Sequence, residues 1–289
     1  MKNKVGKSIF AKIAKLFIFA ILTLVFHVLL SWKLFERVSN TRESKLIKKL
    51  RDLAGIKEYK AKEDTLSSEG LKYDDVYINS RDGKKLHGVI LEADADSDLY
   101  VICIHDILRE GPLEFSKIAK FYHELGVNVL ITDLRGFGKS AGDYTTFGFI
   151  EARDHMEWTD YLIDSYGSDI RIVLHGIGVG AATVLMMCRY ELSRCIKGLV
   201  VDGSYSSLKQ QLRYSFNNKK LLGLELPEGL SYFLYKSACF NASVFDPERT
   251  NPCDGAEKIN IPVIFVSANE DPLVSSQMTE DMYEMCPSI

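Results

Sequence analysis

Hydrophobic positions along this chain fall into three regimes. From Leu16 to Trp32 they run almost without interruption. From about Glu36 to Gly70 they thin out among charges, with Leu46, Leu50 and Leu53 at helical spacing and Gly55 placed to stop a short amphipathic helix. Beyond Tyr73, short β-branched runs alternate with longer amphipathic stretches, the pattern of a mostly parallel, doubly wound α/β sheet. The runs predict strands at Asp74 to Ile78, Lys85 to Leu91, Tyr100 to Ile104, Asn128 to Asp133, Arg171 to His175, Lys197 to Asp202 and Pro262 to Val266. One helix is expected after Pro112, with Phe115, Ile118, Ala119, Tyr122 and Leu125 on one face and Gly126 as its stop. A second is expected from about Phe149 to Tyr166, and a third from Val179.

The first regime reads as a membrane anchor. As a helix the run covers about 26 Å, slightly short of a ~30 Å hydrocarbon core, and Leu34 with Phe35 extends it. Lys2, Lys4, Lys7, Lys12 and Lys15 precede it, Trp32 suits the far interface, and no small-x-small cleavage site follows. Basic residues on the far flank leave the positive-inside count undecided. The short tail and large downstream portion favour a single-pass signal anchor with the domain extracytoplasmic. His27, inside the span, is expected to face a neighbouring helix or the interface. The expected organisation is a tail and transmembrane anchor over 1–35, a charged stalk over 36–70, and an α/β domain over 71–289.

The most informative stretch runs from Ile172 to Thr183: an apolar strand, the turn Gly176-Ile177-Gly178-Val179-Gly180, then small residues opening a helix. This is the frame of a nucleophile elbow, in which a central residue sits on a strained strand-to-helix turn and flanking glycines allow close packing. The central position calls for serine, and here it is Gly178. The glycine spacing matches neither G-x-G-x-x-G nor G-x-x-x-x-G-K-[ST], which argues against a nucleotide site.

Composition narrows the picture further. A net charge of −3 gives no sign of nucleic-acid binding. The six cysteines, Cys103 among them in an apolar strand, show no metal-ligand spacing and no disulfide framework, so neither a metal nor a cofactor is expected.

Five segments taken in order resemble the α/β-hydrolase superfamily, specifically bacterial membrane-anchored relatives of the serine aminopeptidase and esterase-like hydrolases. They are Ser80-Arg81-Asp82-Gly83, Val101 to Asp106, Leu130 to Ser140 with its Asp-Leu-Arg-Gly-Phe-Gly-Lys-Ser block, the elbow, and Asn269 to Val274. The resemblance implies an α/β-hydrolase fold with a lid-like insertion at about 205–251, where Tyr214, Phe216, Tyr232, Phe233, Tyr235 and Phe240 would cover an apolar pocket. It places the nucleophile position at Gly178 and the triad acid at Asp271, which is equally placed to cap a helix before Pro272. It puts the oxyanion donors at the backbone N–H of Val179 and one near Asp106 or Ile107. Asp106 stands where the family usually has glycine, and a carboxylate there opposes a developing oxyanion. The histidines are His27, His87, His105, His123, His155 and His175, so none follows Asp271, and too few residues remain to build the usual last strand and histidine loop. The fold is therefore expected in a C-terminally truncated form. His105 reads as a loop-shaping residue, and Ser204 and Ser206, lacking a base, as turn residues.

Three functional readings stay open. One is a catalytically inactive, membrane-anchored pseudoenzyme whose pocket takes a small apolar ligand or an ester or peptide. The second is a serine hydrolase for carboxylic ester or peptide substrates, represented by an incomplete or decayed chain. The third is an active enzyme with an unrecognised nucleophile.

Overall fold

The computed structural model describes residues 2–41, 45–58, 60–62, 65–217, 227–241 and 245–287, with side chains left out at 2–11, 45–46 and 214–217. Tyr214 and Phe216, read as lid aromatics, are therefore outside the described side chains, as is Leu46 of the predicted amphipathic helix.

All seven strands expected from the hydrophobic pattern form: β1 (Asp74–Asn79), β2 (Lys85–Leu91), β3 (Leu99–Ile104), β4 (Asn128–Thr132), β5 (Arg171–Ile177), β6 (Ile196–Asp202) and β7 (Val263–Val266). They make one sheet in the order β1-β2-β4-β3-β5-β6-β7. β1 and β2 pair antiparallel through the Ser80 to Gly83 turn, β2 pairs antiparallel with β4, and the remaining neighbours are parallel. β3, β4 and β5 read as mostly apolar runs because both sheet faces are covered there, whereas β7 leaves Ile264 and Val266 exposed on one face. Val101 and Cys103 of β3 join one cluster with Phe115 and Ala119, while Ile102 and Ile104 join the opposite cluster with Trp158 and Leu174.

The helices are α1 (Lys2–Ser39), α2 (Lys45–Leu53), α3 (Gly111–Glu124), α4 (Glu151–Tyr166), α5 (Val179–Met187), α6 (Leu208–Asn217), α7 (Glu228–Asn241), α8 (Cys253–Ala256) and α9 (Ser276–Met285). In α3 the expected face is buried at Phe115 and Ala119. Leu125 instead lies past the end of the helix and is exposed, because the chain turns at Gly126 with φ +75°.

The N-terminal segment differs from a free anchor on a spacer. α1 is apolar and exposed from Leu16 to Leu29, long enough to cross a membrane, and then enters the protein without a break. Leu34, Phe35 and Val38 are buried in the main core, Phe35 packs on Tyr144 with ring centroids 4.9 Å apart, and Ser39 Oγ lies 2.8 Å from Tyr235 Oη. The division expected at residue 35 thus falls inside one helix. Among the described side chains of α2, Ile47 is buried, Leu50 packs partly buried against the main core and Leu53 is exposed, so the inward face runs through Ile47 and Leu50 and not through Leu53. Arg51 Nε donates to the Leu108 carbonyl at 2.7 Å, fastening α2 to the loop after β3.

β7 pairs with β6 alone among the described residues, and Ile264 and Val266 face outward. α9 packs on the other side of β7, with Tyr283 edge-on to Phe265.

Candidate functional site at the strand-to-helix elbow

β5 delivers the chain to Ile177 and α5 begins at Val179, leaving Gly178 at φ 58°, ψ −115°. That conformation is strained for any residue with a Cβ. Close approach fixes the neighbours: a Cβ on Gly176 would overlap the Gly180 carbonyl, and one on Gly180 would overlap the Ile104 carbonyl of β3. Every residue of α5 is buried, which explains why only small and apolar types follow the turn.

A Cβ on Gly178 would run into the Asp106 carboxylate, coming within 2.9 Å even of its Cβ. Asp106 Oδ1 accepts the Val179 N–H at 2.9 Å, and the Ile107 and Leu108 N–H groups favour the charged form of the carboxylate. Of the three candidate oxyanion N–H groups, Val179 is thus already bonded to a resident carboxylate and Ile107 favours its charge. The third, the N–H of Asp106 itself, points elsewhere and donates to Glu114 Oε2 at 2.6 Å.

These groups line a cavity of about 250 Å³ with Glu114, Asp202 and Asp271, between walls that include Leu50, Phe147, Leu208 and Leu212. No histidine, lysine or arginine is among its described lining residues. Asp271 Oδ1 accepts the N–H groups of Leu273 (2.7 Å) and Val274 (3.0 Å), so it shapes its own turn while facing the cavity. Ser275, not Asp271, stands at the N-cap of α9.

Burial raises the carboxyl pKa values, opposed at Glu114 by the charge of Arg109. Asp106 is raised by burial, helped by Asp271 and opposed by the three backbone N–H groups; Asp202 is raised by burial and by Asp271. Glu114 is pushed up to about 8 by burial and then by Asp106. No group of three or more His, Cys, Asp or Glu side chains is arranged to hold a metal ion among the described residues.

A carboxyl whose folded pKa exceeds its unfolded value favours the fold fully below the unfolded value and loses that contribution as pH rises through the folded one. For Glu114 the window runs from 4.5 to about 8. We expect the melting temperature of the full chain in detergent to fall across that window and Glu114→Gln to flatten the fall, gaining roughly 3 °C at the alkaline end. Parallel melting curves for the two proteins would show that Glu114 carries no proton there.

The histidines are occupied elsewhere. His105 is fully buried, accepts the Leu134 N–H on Nε2 at 3.0 Å and donates from Nδ1 to the Asp106 carbonyl at 2.6 Å, and burial lowers its pKa. His155 lies between Thr132 Oγ1 and the Glu151 carbonyl, and His175 meets Tyr122 Oη. His87 bridges Asp133 (2.6 Å) and Asp75 (2.7 Å) beside Lys139. His27 contacts Phe233 of α7, ring centroids 5.6 Å apart. Ser204 and Ser206 are buried, with Ser204 Oγ donating to the Tyr205 carbonyl and Ser206 Oγ to Gln210. Cys103 is a buried free thiol whose pKa burial raises.

Sequence reading missed Glu114, whose only local signal is an acidic residue in the first turn of a helix. Its role depends on Asp106 folding back over the start of α3.

No protein-family model matches the chain. It is 27% identical over 190 residues, 65% of its length, to the uncharacterised protein YqkD of Bacillus subtilis, and the match spans only 60% of that relative. An uncharacterised membrane protein of Saccharomyces cerevisiae is 24% identical over 237 residues, 78% of this chain and 72% of its own. Among solved structures, an esterase of Pyrococcus furiosus superposes with a TM-score of 0.59 at 27% identity, covering 76% of this chain and 78% of the esterase. The seven-stranded mixed sheet, its flanking helices and this likeness establish that the chain has the α/β-hydrolase fold, preceded by a helix long and apolar enough to cross a membrane.

Proposed function

We propose that this is a membrane-anchored protein of esterase- or peptidase-like architecture, akin to serine aminopeptidase-like hydrolases, that binds at its elbow without turning substrate over. The observation that carries this reading is the Asp106 carboxylate seated on the Val179 N–H, against the spot where a nucleophile's side chain would leave residue 178. Acyl transfer on this fold needs a hydroxyl, a base and empty donors for the oxyanion. Gly178 supplies no hydroxyl, no histidine lines the cavity among the described residues, and the donors already hold an anion.

The alternative reading is a serine hydrolase of carboxylic esters or peptides represented by an incomplete or decayed chain. It leaves the Gly178 and Asp106 pair unexplained, since both lie far upstream and fit each other sterically. Asp271 is retained as the position of the triad acid, and the apolar walls suit a small apolar ligand or the acyl part of an ester or peptide.

The anchor is tested by fractionation: the full chain should sediment with membranes and stay there through alkaline carbonate. Protease added to sealed cells should reach the domain if it is extracytoplasmic. Release by carbonate, or protection of the domain in sealed cells, would remove the anchor or its orientation respectively. Catalytic silence is tested by the probe experiment that opens the Discussion.

A further inference from the structure

α7 presents two apolar faces. Ser231, Tyr232, Leu234, Tyr235, Ala238 and Cys239 turn into the protein. Leu230, Phe233 and Phe240, spaced three and seven residues apart, form an outward stripe, with Phe240 82% exposed and Phe233 57% exposed. A helix that is apolar on both sides has a second non-aqueous neighbour.

The position of α7 identifies that neighbour. It packs on α1, and the groove between them, about 840 Å³, is walled by Leu24, His27 and Val28 on one side and Phe233, Phe240 and Phe245 on the other. Val28 and Leu24 precede Trp32 by one and two helical turns, so they lie roughly 6 and 12 Å deeper along the helix axis than the residue suited to the interface. The flanking α1 residues Leu22, Phe26 and Leu29 are themselves more than 60% exposed. The charged residues of the groove lining are Lys236, held by Glu248 at 2.6 Å, and the exposed Asp246, while Leu24, Val28, Phe233, Phe240 and Phe245 give it its apolar surface.

Resting on the anchor reading above, we propose that the outer face of α7 lies in the outer part of the bilayer and that the α1–α7 groove takes a phospholipid acyl chain. The lid helix is then a membrane-contacting element. It packs in turn on α6, whose Leu208 and Leu212 roof the elbow cavity.

The test uses the full chain in vesicles of phosphatidylcholine and phosphatidylglycerol carrying a trace of alkyne-tagged phospholipid. Photoreactive p-benzoylphenylalanine is placed singly at Phe240, at Leu22 as the span control, and at Tyr283, which is 47% exposed on α9, as the aqueous control. All three positions are exposed enough to accept the ring without disturbing the core. Lipid adducts at 22 and 240, roughly tenfold above those at 283, support the proposal. Adducts at 22 with none at 240 would leave the anchor standing and overturn the lipid contact of α7. A protein–protein adduct at 240 would overturn it in favour of a second copy of the chain. Absence of lipid adducts at both 22 and 240 would remove the anchor and the groove together.

Discussion

The full chain, purified in detergent and incubated with a fluorophosphonate probe, will form no covalent adduct, and Gly178→Ser will not create one. Nor will either protein hydrolyse p-nitrophenyl esters above a mock preparation. A serine at 178 meets the Asp106 carboxylate at its own Cβ, so the hydroxyl enters a position already filled by an anion. Asp106→Gly in the Gly178→Ser background opens that space and frees the Val179 N–H, yet still supplies no base. In a serine hydrolase, losing one triad member removes most of the rate, and oxyanion donors alone keep about 10³- to 10⁴-fold over water. The double variant should therefore show at most a trace of esterase activity, while the single variants show none. Labelling of the unmodified chain at any serine would sink the silent-elbow reading and point to a nucleophile outside the turn.

The largest effect on stability is expected at Gly180. A methyl group there overlaps the Ile104 carbonyl, a backbone atom of a central strand paired on both sides, so β3 cannot give way without breaking sheet pairing. Gly180→Ala should cost at least about 3 kcal/mol, in the range of severe overpacking. Gly126→Ala is the matched comparison, because its φ of +75° is left-handed but its Cβ would meet nothing within 4 Å. Left-handed backbone alone costs roughly 1–2 kcal/mol. Urea unfolding of both variants in the same detergent separates steric from conformational cost, and equal losses would mean that α5 can shift away from β3.

Much of the fold is legible in the residues. β2 can be read to its ends because Lys85 to Leu91 is bounded by a turn and by charge, and β3 to β5 to within two residues because runs covered on both faces stay mostly apolar. The elbow shows in its glycines, since close packing of α5 against β3 admits nothing larger. Where the reading slipped, the deciding contact was remote in sequence. Ile47, not Leu53, became the buried face of α2, an orientation that includes the bond from Arg51 to Leu108. Nothing local tells Leu34, Phe35 and Val38 that they leave the exposed apolar part of a helix and enter a core built around Tyr235 and Tyr144.

The sequence by itself determined the strands, the turn at Gly176 to Gly180 with a glycine at its centre, and the apolar length of α1, because each rests on residue type and spacing along the chain. Only the tertiary structure decided that the order β1-β2-β4-β3-β5-β6-β7 carries the loop after β3 across the elbow. That crossing sets the Asp106 carboxylate on the Val179 N–H and buries Glu114 behind it. The Asp106–Val179 meeting joins residues 73 positions apart, and it depends on which strands become neighbours, a choice made by packing both sheet faces at once rather than by any local pattern.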